Sequence, residues 1–280
     1  MKLALALSLS NFTSGTPPFV GPLDGFSANA IGLWSISKRL LTSYTGALIR
    51  VRRSSDNAES DIGADAAGNL DSAALTSFVG GGSWFLRWVY DETGNGHHIG
   101  NSTAAAQPQG AIDGNGLAYA YAPGAGFTTT NLARSGLSIA TTDTTHWTVH
   151  SSAGFQTDTI STRTAVPTER RCGNVSNAII ASVATTGTQA TLAGTNTGLY
   201  TLTFQVGGGG HRISNGLASA TGTQASNSIT IAQIGMGNGG GGASWAQNSK
   251  FYAGGLWSAD LGNTRSDALN VIGKSLFVTQ

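Results

Sequence analysis

Between Ile49 and Gln107 the chain concentrates its charge. Arg50, Arg52 and Arg53 are followed by Asp56, Glu59, Asp61, Asp65 and Asp71, and the run Trp84 to Tyr90 then ends on Asp91 and Glu92. Only 10% of the residues are charged. So dense a set of opposite charges is better explained as a network tying one end of a domain together than as ordinary solvated surface. In the run itself Trp84, Leu86, Trp88 and Tyr90 share one face, with Phe85, Arg87 and Val89 opposite, which reads as an interior strand. Arg87 then needs a partner among the acids just upstream. The expected structural network is Arg50, Arg52, Arg53, Asp56, Asp61, Arg87 and Asp91.

Forty glycines among 280 residues, with two methionines, suit many short strands joined by tight turns. Strands are expected at Ala47 to Arg53, Thr145 to Phe155, Asn177 to Thr185, Leu199 to Val206, Ser228 to Met236 and Phe251 to Trp257. In Thr145 to Phe155, Trp147 and Val149 oppose His146, Thr148 and His150, the pattern of a half-exposed strand. Three short helices are expected. One is capped by Ser27, with Leu33, Ile36, Leu40 and Tyr44 at helical spacing; one is capped by Asp71 and closed by Gly80 to Gly82; one follows the pair Thr264 and Asp267. The sum is a mainly β, two-sheet antiparallel sandwich with peripheral helices.

Residues 1–25 are expected to form an N-terminal arm or first strand with a Gly/Pro-rich connection, and 26–280 a single sandwich domain. Leu3, Leu5, Leu7 and Leu9 alternate with small residues behind the single charge of Lys2, which fits a strand better than a secretion signal. The net charge of +1 and the scattered basic residues argue against nucleic acid and against an anionic membrane as partners. No segment has the apolar length for membrane insertion. With Cys172 as the single cysteine, an intrachain disulfide is excluded.

The residues offer several candidate sites. His97 and His98 are adjacent, so both rings reach one metal ion only if the backbone turns sharply; Asp91, Glu92 and Asn95 are oxygen donors without the spacing of a calcium loop. No metal and no cofactor is expected. His146, Trp147 and His150 form the candidate glycan-binding group, a ring for the apolar sugar face flanked by hydrogen-bonding side chains; a core tryptophan is the alternative. Glycoside hydrolysis needs two carboxyl groups across a cleft. Candidates are Asp91, Glu92, Asp113, Asp143, Asp158, Glu169, Asp260 and Asp267, because Arg170 to Ala259 contains no acid. Cys172 beside Arg170 and Arg171 reads as a structural or merely tolerated thiol, since no histidine lies close in sequence.

The blocks LLTSYTGALIRVRRSSDNAESDIGADAAGNLDSAALTSFVG (Leu40 to Gly80) and YDETGNGHHIGNSTAAAQPQ (Tyr90 to Gln109) resemble the catalytic domain of fungal-type α-L-arabinofuranosidase B, in the version found in bacteriophage and prophage structural proteins. The phage-type pattern at Tyr90 is Tyr-Asp-Gln-Ser-Gly-Asn-Gly; Glu92 and Thr93 depart from it. A weaker echo covers IGMGNGGGGASWAQNSKFYAGGLW (Ile234 to Trp257). The resemblance implies a concanavalin A-like, jelly-roll sandwich. It implies for the enzymes a nucleophilic Glu after a Cys-Cys pair and an acidic Asp in the Gly-rich stretch, where this chain has no Cys-Cys pair and offers Asn238. The resulting expectation is a non-enzymatic virion protein, a capsid decoration, head-fibre or tail-associated component. It would be homo-oligomeric and partnered by capsid or tail subunits. The alternatives are a module binding a host glycan and a glycoside hydrolase with relocated carboxylates.

Overall fold

The computed structural model describes residues 18–122, 131–151, 157–163, 169–175, 178–183, 190–193, 199–207, 210–215, 218–223, 229–236 and 250–277, with backbone alone between 157 and 200 and at 202, 204, 211, 223, 229 and 236. The Leu3 to Leu9 row and Asn238 lie outside these ranges. The first half holds β1 (Ala30–Ser35), β2 (Ile49–Arg53), β3 (Glu59–Ile62), α1 (Ser72–Val79), β4 (Trp84–Val89), β5 (Ile99–Gly100), β6 (Gln109–Ile112) and β7 (Ala118–Tyr121). Then come β8 (Leu132–Thr141), β9 (Thr144–Ser151), β10 (Thr157–Arg163), β11 (Glu169–Val175), β12 (Ala178–Val183) and β13 (Ala190–Ala193). The chain continues with β14 (Leu199–Gly207), β15 (Gly210–Ser214), β16 (Ser219–Thr223), β17 (Ile229–Met236), β18 (Lys250–Trp257) and α2 (Gly262–Phe277).

Every described ladder is antiparallel, and the pairings build two layers of a jelly-roll-like sandwich. One layer runs β16-β15-β14-β9-β18-β1. The other runs β3-β2-β4-β5-β8-β17-β10-β11-β12-β13. The β6–β7 hairpin pairs with β4 on one side and β18 on the other, joining the layers. Trp34, Ile49, Val51, Leu86, Val89, Leu132, Ile234, Phe251 and Leu256 fill the space between layers. A second core, with Leu33, Trp147, Val149, Trp257, Leu269 and Phe277, lies where α2 packs on β14 and β9. Burial of both faces explains why β1 and β18 are apolar along nearly their whole length.

The helix at Asp71 forms as its local signals require: the Asp71 carboxylate accepts the Ala74 N–H at 2.9 Å, and Leu75 and Val79 are buried. The helix expected after Ser27 is instead β1. Its apolar residues serve two cores, Leu33 one and Trp34 the other, and a register shift at its start breaks strict alternation, so strand burial coincides with helical spacing. The last helix begins earlier than expected, at Gly262, whose N–H is taken by Asp260 Oδ1 at 2.9 Å. Thr264 and Asp267 therefore lie within it. In β4 the buried set is Trp84, Leu86 and Val89, because the ladder with β2 shifts register between Arg50 and Val51. Gly110, opposite Trp84 in the β4–β6 ladder, is held to glycine by contact: a Cβ there would run into the Trp84 ring.

Candidate functional site

The outer face of β2, β3 and β4 carries the charge cluster. Arg50 Nε donates to Glu59 Oε2 at 2.8 Å and Arg50 approaches Asp61 at 3.4 Å; Arg53 makes a two-pronged pair with Asp56, both bonds 2.7 Å. Arg87 also reaches Glu59, at 3.5 Å. Glu59, outside the expected set, is thus the acid shared by two guanidinium groups. Arg52 pairs with no acid among the described residues: its donors go to Gln107 Oε1, Asn57 Oδ1 and the Ala104 carbonyl. Asp91 likewise leaves the network. Buried, it accepts the N–H groups of Leu33, Thr93 and His97 and the Thr93 hydroxyl. The cluster is therefore an ion-paired sheet face of low worth per pair.

Next to Asp91, Glu92 is 3% exposed and its Oε2 accepts the N–H of Leu40 at 2.7 Å and of Leu41 at 3.2 Å. Burial pushes this carboxyl up to about 8, against those two donors and the nearby Arg39 guanidinium. The two histidines of this turn diverge. His97 Nδ1 meets the Ile31 carbonyl at 2.7 Å, whereas His98 Nδ1 accepts the Asp91 N–H at 3.0 Å. Asp91 and His97 tie the turn to β1, Glu92 ties it to the segment that follows β1, and His98 braces it from within through the Asp91 N–H.

The proposed sugar-facing group is corrected by burial. His146, Trp147 and His150 are 1%, 0% and 1% exposed, so no ring face meets solvent and β9 is not half-exposed. Trp147 Nε1 donates to Thr201 Oγ1 at 3.1 Å beneath α2. A pyranose or furanose has no access to it. Asp158 lies on β10, and Glu169 and Cys172 on β11, where only the backbone is described. Asp113 caps the β6–β7 turn through the N–H groups of Asn115 and Leu117, both at 2.9 Å.

A cleft of about 210 Å³ opens where β14, β15 and β16 meet the start of α2, lined by Gln205, Gly207, Gly210, Arg212, Thr221, Gly222, Asp260 and Asn263. Its polar groups form a relay. Arg212 Nη2 donates to both oxygens of Asp267 at 2.9 Å, Arg212 Nη1 donates to Gln205 Oε1 at 3.3 Å, and Gln205 Nε2 donates to Asp260 Oδ1 at 2.7 Å. Ser214 adds a 2.6 Å bond to Asp267. The Arg212 contact fixes which end of the Gln205 amide faces Asp260. Gly207 leaves room beside the carboxylate, since a Cβ would sit 2.6 Å from Asp260 Oδ2. Oδ2 takes no hydrogen bond among the described residues and stands on an exposed side chain. Sequence reasoning named Asp260 and Asp267 but missed Gln205, Arg212 and Thr221, which no local spacing connects to them.

The cleft is small beside drug-sized sites of roughly 300–1,000 Å³. The family model described as alpha-L-arabinofuranosidase B, catalytic, matches residues 26–161. A probable alpha-L-arabinofuranosidase B of Aspergillus fumigatus is 32% identical over 103 residues, which are 35% of this chain and 20% of that protein. The alpha-L-arabinofuranosidase B of Aspergillus oryzae is 31% identical over the same length, with the same shares. The chain thus spans about one fifth of the length of these curated relatives. Among solved structures, an arabinofuranosidase complexed with arabinofuranosyl-alpha-1,2-xylobiose superposes with a TM-score of 0.70 at 17% identity, covering 92% of this chain and 65% of that one. These findings support the arabinofuranosidase B resemblance and give no bacteriophage context. They overturn the expectation of a non-enzymatic virion component located in the virion: the matching model is a catalytic domain, and the relatives are named as fungal glycoside-cleaving enzymes.

Proposed function

We propose that this chain is a glycoside hydrolase domain that releases α-L-arabinofuranosyl groups. The observation that carries the reading is the catalytic-domain match over residues 26–161. It lies on a fold shared with an arabinofuranosidase across most of the chain.

The reaction needs two carboxyl groups roughly 5–10 Å apart, one to protonate the leaving oxygen and one to act as nucleophile or to activate water. Most acids of the first half are consumed by structure: Asp24 by Thr42, Asp56, Glu59 and Asp61 by arginines, and Asp71, Asp91, Glu92 and Asp113 by backbone N–H groups. Asp260 has the cleft beside it, and we assign it one of the two roles. Gln205, held by Arg212, orients it through Oδ1 and leaves Oδ2 to the substrate. Asp267 is paired with Arg212, so the second carboxyl is sought at Asp143, in the turn between β8 and β9, whose neighbours Thr141 and Thr145 bond to the Ser258 and Ala259 carbonyls just before Asp260. The relocated pair accommodates the absence of a Cys-Cys pair and the amide at Asn238.

The test is release of 4-nitrophenol from 4-nitrophenyl α-L-arabinofuranoside by the wild type and by Asp260→Asn and Asp143→Asn. Wild-type turnover is expected, with Asp260→Asn and Asp143→Asn each lowering kcat by roughly 10²–10⁴-fold. Absence of wild-type turnover above the uncatalysed rate, or full activity in either variant, would overturn the assignment.

A further inference from the structure

Away from the cleft, three strands place tyrosines in an ordered file. The ladders set Gln109, Tyr121 and Lys250 directly opposite one another across β6, β7 and β18. Cross-strand partners share a face, as do residues two apart on one strand, so Tyr119 stands beside Tyr121 on the same side. The Tyr119 ring centroid is 5.7 Å from that of Tyr121 and 5.5 Å from that of Tyr252. The Lys250 ammonium lies 4.3 Å from the centre of the Tyr119 ring. Tyr252 is buried and directs its hydroxyl to Asp113 Oδ2 at 3.3 Å, which anchors the file, while Tyr119 and Tyr121 remain partly open.

We propose that this face is a binding surface for a neutral polysaccharide chain, namely the polymer that carries the arabinofuranosyl groups cleaved elsewhere on the domain. The inference rests on the hydrolase reading for the identity of the polymer. Lys250 sits over the Tyr119 ring and holds it in the file, the Tyr121 ring is free to cover the apolar C–H face of a sugar, and the tyrosine hydroxyls and the Gln109 amide supply donors at its edges. One cation and one carboxylate leave the surface without net charge, which fits an uncharged polyol and opposes a polyanion. The file adjoins Phe277 at the end of α2, 6.3 Å from the Tyr252 ring, whereas the cleft is at the start of that helix. A sixteen-residue helix is about 24 Å long. A chain held on the tyrosines is therefore anchored several sugar units from the site of cleavage.

The experiment is affinity gel electrophoresis of the full chain in soluble arabinoxylan and, separately, in heparin, with hydrolysis of 4-nitrophenyl α-L-arabinofuranoside measured in parallel. The variants are the double change Tyr119→Ala with Tyr121→Ala and the single change Gln109→Ala, which leaves the rings in place. Arabinoxylan should retard the wild type. The double variant should bind roughly tenfold more weakly and Gln109→Ala by a smaller factor, with turnover of the small glycoside unchanged in both. Wild type that migrates freely in arabinoxylan, variants that are retarded equally, or stronger retardation in heparin would overturn the surface. Retardation that depends on the tyrosines in a protein without turnover would uphold the surface and overturn the hydrolase reading instead.

Discussion

Replacing Glu92 by glutamine isolates the energetics of the turn that holds β1. Glu92 Oε2 takes two backbone N–H bonds, while Oε1 is buried and takes none among the described residues. The proton of the neutral acid therefore sits on Oε1, and an amide oxygen can keep both backbone bonds in the variant. Burial raises the folded carboxyl from 4.5 to about 8. Between those values the unfolded chain has released its proton and the folded chain has not, so stability falls as pH rises, by about 1.4 kcal/mol per pH unit. Over the whole interval the loss is on the order of 5 kcal/mol. His150 acts with the opposite sign: burial lowers its imidazole from 6.5 to about 4, so its contribution is complete above 6.5 and is lost as pH falls toward 4. The two slopes offset each other in mildly acidic solution, and the decline due to Glu92 stands alone above 6.5. Urea unfolding of wild type and Glu92→Gln between pH 5 and pH 8 separates them, because the histidine is common to both. The variant's relative stability should climb by about 1.4 kcal/mol per pH unit. A difference that stays flat over this range would mean that Glu92 is ionised within the fold, and the argument would fail.

Two further changes probe the frame by urea unfolding. Asp71→Ala removes the bond to the Ala74 N–H and should cost about 1 kcal/mol, with serine at the same position recovering most of it. Gly110→Ala should cost about 1–3 kcal/mol, because its methyl meets the Trp84 ring, while Gly114→Ala, where a Cβ meets nothing within 4 Å, should be close to neutral.

What could be read from the residues was what local chemistry decides. The cap at Asp71, the β17 and β18 runs and the need of Arg87 for an upstream acid all rest on neighbours in sequence or on a strand's own alternation. The errors arose where two surfaces compete for one strand. Leu33 and Trp34 enter different cores, which mimics a helical stripe; His146, Thr148 and His150 look like a wet face but lie inside the sandwich. The cleft was out of reach for another reason. Gln205 and Asp260 are 55 positions apart and become neighbours only through the docking of α2 on β14. The family was legible in the blocks from Leu40 to Gly80 and from Tyr90 to Gln109. The expectation of a protein without enzymatic activity failed because it was drawn from missing residues, and a missing carboxylate at one position does not exclude a replacement supplied from elsewhere in the fold.

β18 hydrogen-bonds to β1 on one side and to β9 on the other. A ribosome therefore releases more than two hundred residues before Leu33 can meet Gly255, its partner in that ladder. Until then β1 and β9 both present open edges toward the place β18 will fill, and the nascent chain must be kept from lending those edges to a neighbour. Yield on expression should thus depend on how quickly the closing strand is delivered.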